Sequence, residues 1–346
     1  MTSLSMIYKG IIVALFLAIL MPVSLHAVSE ATVLFLLIEP GSNAGGMGNA
    51  YVAKSDDAFA GWWNPAALAF NKKSQVALMH SNWLQSADIN DIYYEYLGWD
   101  QYFEGIGTVG FNVIYMNYGE QEKTDESGQS HGNFQSYEFA ATGSYGFLIT
   151  EKLAGGLNFK YIYSKLAPTE TGETGTNVKG SGSSYAFDIA LKFKDAFIPR
   201  LDLGWNLQNV GPNLTYVNEA QADPLPMNWR MGAAYRILDS PMNRFTGTFD
   251  INKSLANRDP VFERLVSGWK GDDPIYNVGG EYAYMNLLTV RGGYIYDNSG
   301  SVKGPCFGVG FQYTFSNRYK VFFDFGMVET GQLVDYNKTF SLGVEF

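Results

Sequence analysis

The sequence predicts an all-β protein: a transmembrane, antiparallel, up-and-down β-barrel of about 14 strands, preceded by a short N-terminal helical plug or lid. Three observations predict this fold: a period of two in the apolar residues, an alternation of short and long connections, and a composition with few charges. Charged residues make up 17% of the chain and aromatic residues 16%, whereas charged residues usually reach about 25%. Few charges and many aromatic side chains suit contact with lipid.

The segment MNWRMGAAYRI shows the period of two most clearly. Trp229, Met231 and Tyr235 share one face, and Arg230 and Arg236 share the other, as expected for a strand. The same split recurs in YAFDIALKF, LDLGWNLQN, LNFKYIYS, YNVGGEYAY, FGVGFQYTF and FSLGVEF. Because the polar face carries mainly Gly, Ala and other small residues, the pattern favours a barrel with a narrow interior over a soluble β-sandwich.

The predicted strands are even in number, as in bacterial barrels. They span residues 74–83, 88–98, 105–118, 134–148, 153–166, 183–194, 200–211, 227–238, 244–253, 276–285, 287–297, 305–315, 319–328 and 338–346. Every second connection, around DQYFE, TEK, DAFIP, DSPMN, MN and SNR, is short, and most of the others are long. Short turns belong to the periplasmic side of such barrels, so we expect both the mature N-terminus and Phe346 on that side.

The N-terminal region predicts export. Lys9 precedes an apolar run from Ile11 to Met21, and Ala27 can serve as a cleavage position. This layout is typical of a signal peptide, and the run is too short to span a membrane as a helix, which takes roughly 20 residues. We therefore predict a cleaved signal peptide over 1–27, a plug segment over 28–73, a barrel over 74–346, and a location in the outer membrane of a Gram-negative-type envelope.

The predicted plug contains NAGGMGNAYVAKSDDAFAGWWNPAALAF, residues 43–70, which lacks the alternation of a strand. Its glycines allow close backbone approach and positive φ angles. Ser55 is a candidate cap for a first short helix, and Asn64 is a candidate cap for a second helix that has Pro65 at its first position. A compact, small-residue segment before the first strand is best explained as a plug or lid.

The stretch FLLIEPGSNAGGMGNAYVAKSDDAFAGWWNPAAL resembles the N-terminal signature of the PorV/PorQ family, whose barrels are related to the FadL-type transporters of long-chain fatty acids. The motif residues are Gly45, Gly46, Met47, Gly48, Asn64, Pro65 and Ala66. The resemblance implies a 14-stranded outer-membrane barrel. It further implies one of two roles: handling or anchoring exported proteins in type IX secretion, or passing hydrophobic small molecules through the lumen.

Alternation places twelve charged residues on the inward face of the barrel. They are Glu138, Lys160, Asp188, Lys192, Asp202, Arg230, Arg236, Asp250, Glu281, Arg291, Asp324 and Glu345. Their mixed signs predict pairing between neighbouring strands and do not support a filter of one sign. Ile114, Met116 and Leu148 are expected as apolar lumen positions, which favour the uptake of a hydrophobic ligand.

The loop DPVFERLVSGWK places Phe262, Leu265, Val266 and Trp269 near one helical face. We interpret it either as a lid on the barrel rim or as an exposed ridge that binds secreted cargo or other secretion and attachment components. The partners predicted beyond these are outer-membrane lipid and a hydrophobic ligand.

No cofactor, metal or catalysis is predicted. The net charge of −10 argues against nucleic acid as a partner, and the glycines of GIGTVG lie in a strand pattern without the helix that a dinucleotide site requires. A lipid-hydrolysing barrel with His80 as the base of a serine nucleophile stays open as an alternative, as does a purely structural barrel.

Overall fold

The chain forms a closed antiparallel barrel of 14 strands in sequence order. The structure is a computed structural model, which describes residues 31–83, 91–124, 127–168, 170–171, 177–178, 180–216, 222–316, 318–331 and 336–346. The ring closes where β1 pairs with β14, from Gln75↔Glu345 to Asn82↔Lys338. The predicted barrel fold and strand number are confirmed.

The barrel strands are numbered β1 to β14 in chain order. They are β1 Gln75–Asn82, β2 Ile92–Phe103, β3 Gly107–Thr124, β4 Ser130–Leu148, β5 Leu153–Lys165, β6 Ser181–Phe193, β7 Leu201–Val210, β8 Asn228–Asp239, β9 Asn243–Ser254, β10 Ile275–Tyr284, β11 Leu288–Asp297, β12 Val302–Phe315, β13 Tyr319–Val328 and β14 Asn337–Glu345. The connection between β5 and β6 contains a two-stranded ladder, Glu170–Thr171 with Asn177–Val178.

Along each strand, side chains alternate between the outer surface of the barrel and its interior. On β5, Leu157, Phe159 and Tyr161 are exposed on the outside, whereas Asn158 and Lys160 are buried on the inside. Rings stack along each end of the outer wall. His80, Tyr93, Tyr115, Tyr137 and Tyr163 form a chain at one end, with centroids 5.9–6.2 Å apart. Tyr145, Phe147, Phe193, Phe197, Tyr313 and Phe315 pair at the other. Two aromatic girdles around an apolar band are typical of a membrane barrel.

Some predicted boundaries are wrong. Strand β2 ends at Phe103, five residues beyond the predicted end of that strand. The turn that follows it therefore lies over 104–106. Strands β3 and β4 extend to Thr124 and back from Ser130, and most of the supposed loop GEQEKTDESGQSHGN is therefore ladder, with register shifts after Asn117 and Glu122. Long polar hairpins outside the membrane lack the apolar alternation from which strands are read.

The N-terminal segment, residues 31–73, runs through the inside of the barrel. It contains a 3₁₀ turn Leu34–Leu37, helix α1 Ser42–Gly46, helix α2 Ala60–Trp63 and a second 3₁₀ turn Pro65–Phe70. Among the described residues, no helix is long and apolar enough to cross a membrane.

The N-terminal segment begins and ends at opposite ends of the barrel. Ser74 and Phe346 exchange backbone hydrogen bonds of 3.0 and 2.9 Å at the end where β1 begins, which we call the periplasmic end. Thr32 N–H instead donates to Pro224 C=O (3.0 Å) in the connection between β7 and β8, at the outer end. The expectation that the segment starts on the same side as Phe346 is therefore wrong, because the segment traverses the whole lumen.

Candidate functional site in the lumen and at the outer rim

Large side chains of the N-terminal segment fill one half of the lumen. Trp62 and Trp63 pack edge to face with centroids 5.0 Å apart, and Trp63 Nε1 donates to Pro40 C=O (2.8 Å). They belong to one buried cluster with the inward residues Ile114 and Met116 of β3. Ordered burial of these rings removes a large apolar area from water, which stabilises the segment in place.

The glycines of the GGMG motif let the segment backbone touch the backbone of the wall. A Cβ on Gly46 would lie 2.7 Å from Gly308 Cα, and one on Gly48, whose φ is 63°, would lie 2.6 Å from Tyr294 N. Met47 between them lies against Gly293, where a Cβ would come within 2.2 Å of the Met47 carbonyl carbon. Gly45 approaches only a side chain, since its Cβ would lie 2.6 Å from Val328 Cγ2.

The NPA motif anchors the segment on the opposite wall. Asn64 Oδ1 accepts a hydrogen bond from Ala66 N–H (3.1 Å), which caps the 3₁₀ turn that begins at Pro65. Its Nδ2 group donates to Val52 C=O (3.0 Å) and to Leu191 C=O on β6 (3.1 Å). The expected cap at Asn64 is thus present, and one amide side chain joins two parts of the segment to a strand.

The expected cap at Ser55 is absent. Ser55 Oγ instead donates to Tyr51 C=O (2.7 Å). Helix α2 begins at Ala60, and Asp57 Oδ1 accepts from Phe59 N–H, just before that helix (3.0 Å). A serine followed by two aspartates gives two competing caps, and the packing of the preceding turn decides between them.

Barrel charges hold the turn over residues 51–56. Asp250 Oδ2 accepts from Tyr51 N–H and Val52 N–H, both at 2.8 Å. Lys192 Nζ donates to Lys54 C=O (2.7 Å), and Lys54 Nζ lies 3.2 Å from Glu281 Oε1. Alternation had placed Asp250 and Lys192 inside the barrel, but their use as anchors for backbone groups of the segment was not predicted. A sequence has no signal for a contact about 200 residues away.

Other inward charges pair with each other, as the mixed signs predicted. Lys160 lies 2.8 Å from Asp188 on the adjacent strand. Arg291 bridges Glu281 (2.7 Å) and Asp324 (2.6 Å). The remaining inward charges pair near the rim, with the N-terminal segment or with hydroxyl groups: Arg236 with Asp202 and Asp195, Arg230 with Glu39, Glu345 with Lys73 and Lys320, and Glu138 with Ser164 and Tyr118. Each pair offsets the cost of placing charge in a narrow interior.

Helix α1 separates cavities of opposite character. Toward the periplasmic end, cavities of about 290 and 330 Å³ are lined by charged residues including Lys54, Asp56 and Glu345. Toward the outer end, a cavity of about 290 Å³ is lined mainly by apolar residues such as Leu37 and Met79, with Glu39, Asp297 and Glu329 also in its wall. Further apolar residues that line this outer cavity are Ile38, Trp83, Ile275, Ile295, Val302 and Val328.

Two of the three apolar lumen positions are confirmed. Ile114 and Met116 are buried inside the barrel, in contact with the N-terminal segment. Leu148 is half exposed at the end of β4, beside the turn over 149–152, so its assignment to the lumen is wrong. Alternation gives the direction of a side chain but not whether the barrel interior extends to that level.

At the outer rim, four apolar side chains of the connection between β9 and β10 form what we call the rim ridge: Phe262, Leu265, Val266 and Trp269. They lie on and around helix α3, Arg264–Ser267, and the 3₁₀ turn Gly268–Lys270. Phe262 and Val266 are 80% and 75% exposed, whereas Trp269 packs edge-on against Trp229 of β8, 5.2 Å between centroids. Trp269 fixes the ridge to the wall and leaves Phe262 and Val266 outward.

Other candidate chemistry finds no support in the geometry. Among the described residues, no cluster of three His, Cys, Asp or Glu side chains could hold a metal ion. His80 bonds Glu95 Oε1 (2.7 Å) and Asn82 Oδ1 (3.0 Å) through its two ring nitrogens, and neither partner is the serine that the hydrolase alternative requires.

Comparison with solved structures finds the same barrel in hydrocarbon transporters. The chain is similar to the toluene transporter TodX of P. putida, at 11% identity and a TM-score of 0.55 over 88% of this chain and 96% of that chain. It is also similar to the toluene transporter TbuX of Ralstonia pickettii, at 11% identity and a TM-score of 0.56 over 90% and 98%. At such identities the likeness shows the fold alone.

Comparison with curated proteins found no match. A family model described as "Type IX secretion system protein PorV" matches residues 24–261, well over half of the chain and including the whole GGMG and NPA motifs. Barrels of this family are outer-membrane proteins. The chain therefore belongs to the PorV family, and it is an outer-membrane β-barrel.

Proposed function

We propose that this barrel handles or anchors exported proteins in type IX secretion, through protein–protein contacts at its outer rim. The observation that carries the proposal is the PorV family match over residues 24–261. Two features of the structure support it: the lumen is occupied by the N-terminal segment, and the rim ridge presents apolar side chains at the outer end. Handling or anchoring of exported proteins at the cell surface requires an exposed rim of the barrel and does not require an open lumen.

The rim ridge is the surface that we assign to a protein partner. Burying a phenylalanine or valine side chain fully in an interface contributes about 1.5–3 kcal/mol, and apolar groups at the centre of an interface contribute most of its affinity. Trp269 is already held by Trp229, so the ridge loses little conformational entropy on binding.

Paired substitutions at the ridge test this function. In a strain that lacks the chromosomal gene, Phe262→Ser with Val266→Ser should reduce surface display of exported proteins at least fivefold, although the barrel folds normally. The matched control is Phe197→Ser with Ile198→Ser, two exposed apolar residues in the periplasmic turn between β6 and β7. Normal display in the deletion strain itself would reject the proposed function.

Uptake of a hydrophobic small molecule is the second candidate. The apolar cavity of about 290 Å³ at the outer end favours it, and the structural neighbours TodX and TbuX carry the description toluene transporter. A transported molecule would have to pass helix α1, which separates that cavity from the polar ones below. Uptake therefore requires movement of the N-terminal segment, whereas protein handling at the rim does not.

Processing and the role of the N-terminal segment belong to the same proposal. We propose that residues 1–27 are removed as a signal peptide and that residues 28–73 act as the plug of the barrel. N-terminal sequencing of the protein from purified outer membranes should begin at Val28, and an intact Met1 would contradict the cleavage.

A further inference from the structure

Strand β6 has a partner on only one side over its outer half. On the β5 side it pairs along its whole length, from Ser181↔Lys165 to Phe193↔Leu153. On the β7 side the pairing begins only at Phe187↔Val210 and continues toward the periplasmic end. The barrel wall therefore contains a notch beside residues 181–184, close to its outer end.

The notch exists because the chain leaves the wall after β7. Gly211 and Pro212 follow the last residue of β7, and Ser184 Oγ of β6 donates to Pro212 C=O (3.0 Å). A Cβ on the inward-facing Gly182 would lie 2.6 Å from Thr215 O. Gly211 still lies beside β6, since a Cβ there would lie 2.1 Å from Tyr185 O, and residues 212–215 then lie on the lumen side of β6.

Backbone groups of β6 point into the notch. Gly180 C=O accepts a hydrogen bond from Leu166 N–H (2.9 Å), so it points toward β5. Backbone groups alternate in direction along an antiparallel strand, and the N–H and C=O groups of Ser181 and Ser183 consequently point away from β5. Those of Tyr185 point the same way, but Gly211 lies against the Tyr185 carbonyl. Within the part of the chain that the structure describes, no backbone hydrogen bond from another segment reaches these groups.

The notch is accessible and adjoins the rim ridge. Ser183 and Tyr185 are exposed on the outer face of β6. Across the notch, Arg264 of α3 donates from Nη2 to Asn213 Oδ1 (2.6 Å), which places the helix of the ridge at the inward-turning chain. One border of the notch is thus a strand edge, and the inward-turning chain beside it contacts helix α3, to which the rim ridge belongs.

We propose that this edge of β6 binds an extended strand of an exported protein by β-augmentation. The inference rests on the proposed function and specifies how a protein partner is held. A row of alternating donors and acceptors at strand spacing is complementary to another extended backbone, and lipid cannot satisfy such groups. The partner strand carries apolar side chains outward, beside Tyr185 and Phe187, and small ones inward, where residues 212–215 leave little room.

A proline at position 183 tests the edge. Ser183→Pro removes an N–H group that points into the notch and leaves every hydrogen bond to β5 in place, since the Ser183 N–H is not part of that ladder. The probe is one purified protein that the same cell exports to its surface, chosen because its display is lost in the deletion strain, and its affinity is measured for the full barrel in detergent micelles. Its affinity should fall at least tenfold in Ser183→Pro and stay within twofold in Ser183→Ala, which keeps the N–H group.

A cysteine scan tests the same edge of β6 by cross-linking, without a proline substitution. Ser183→Cys should form disulfides with cysteines placed at every second position along one strand of the probe, because strand pairing has a period of two. Unchanged affinity in a folded Ser183→Pro barrel, or cross-linking without that period, would overturn the proposal that the edge of β6 binds the partner strand. A wild-type barrel that binds no exported protein would reject the proposed function as well.

Discussion

At the scale of single residues, the small inward side chains have a specific cause. They are small because the backbone of the N-terminal segment lies directly on the backbone of the wall, as at Gly46 against Gly308 and Gly156 against Ala66. A narrow interior filled only by side chains would admit alternating large and small residues. Here the segment takes that space, and the wall must be flat where the segment touches it.

Neighbouring glycines of β11 give a matched pair of substitutions. Gly293→Val should lower the free energy of unfolding by about 3 kcal/mol, because a Cβ there would lie 2.2 Å from the Met47 carbonyl carbon and no flexible side chain can yield. Gly292→Val points outward with nothing within 4 Å and should change it by less than about 0.5 kcal/mol. Urea titration of the barrel in detergent measures both, and equal effects would show that the close contact is absent.

At the scale of elements, the N-terminal segment is anchored on all sides. The GGMG motif contacts the later strands, the NPA motif contacts β6, and Asp250 of β9 holds the turn between them. Ser341 Oγ on β14 donates to Ser42 Oγ (2.8 Å) and accepts from Ser42 N–H (2.9 Å). These two serines provide a place where the segment can be locked to the wall.

A disulfide lock separates the two candidate functions. Ser42→Cys with Ser341→Cys should form a disulfide under oxidation, since the replaced hydroxyl groups are already in contact. Cys306, the other cysteine, is buried. Because handling of proteins at the rim needs no movement of the segment, surface display should stay at the wild-type level in the locked barrel. Lost display that returns on reduction, with Ser42→Cys alone unaffected, would favour passage through the lumen.

At the scale of the whole molecule, the barrel has a polar half and an apolar half inside. The periplasmic cavities are lined by charges, the outer cavity is mainly apolar, and helix α1 lies between them. Ions that move along the barrel axis therefore meet the packed segment and a cavity whose lining is mainly apolar. This chain combines a barrel fold similar to that of TodX and TbuX with a lumen that the N-terminal segment fills.

Conductance in a planar bilayer checks the closed lumen. The wild-type barrel should show no steady current, whereas Asp250→Ala, which removes the acceptor of Tyr51 N–H and Val52 N–H, should loosen the segment and produce frequent openings. Asp239→Ala at the periplasmic rim is the control, since this partly exposed carboxylate contacts Arg236 rather than the segment. A large, stable wild-type conductance would contradict the filled interior.

The sequence by itself determined the barrel, its 14 strands, the inward and outward faces and the family motif, because strand alternation and turn residues are local properties. Tertiary structure alone decided that the segment crosses the whole lumen, that Asp250 and Lys192 hold its backbone, that Leu148 lies at the rim, and that β6 keeps an open edge. Each of these depends on contacts between residues far apart in the chain. Local patterns carry no information about such distances, since the same alternation is compatible with a wall that closes beside β6 and with one that turns inward at Gly211.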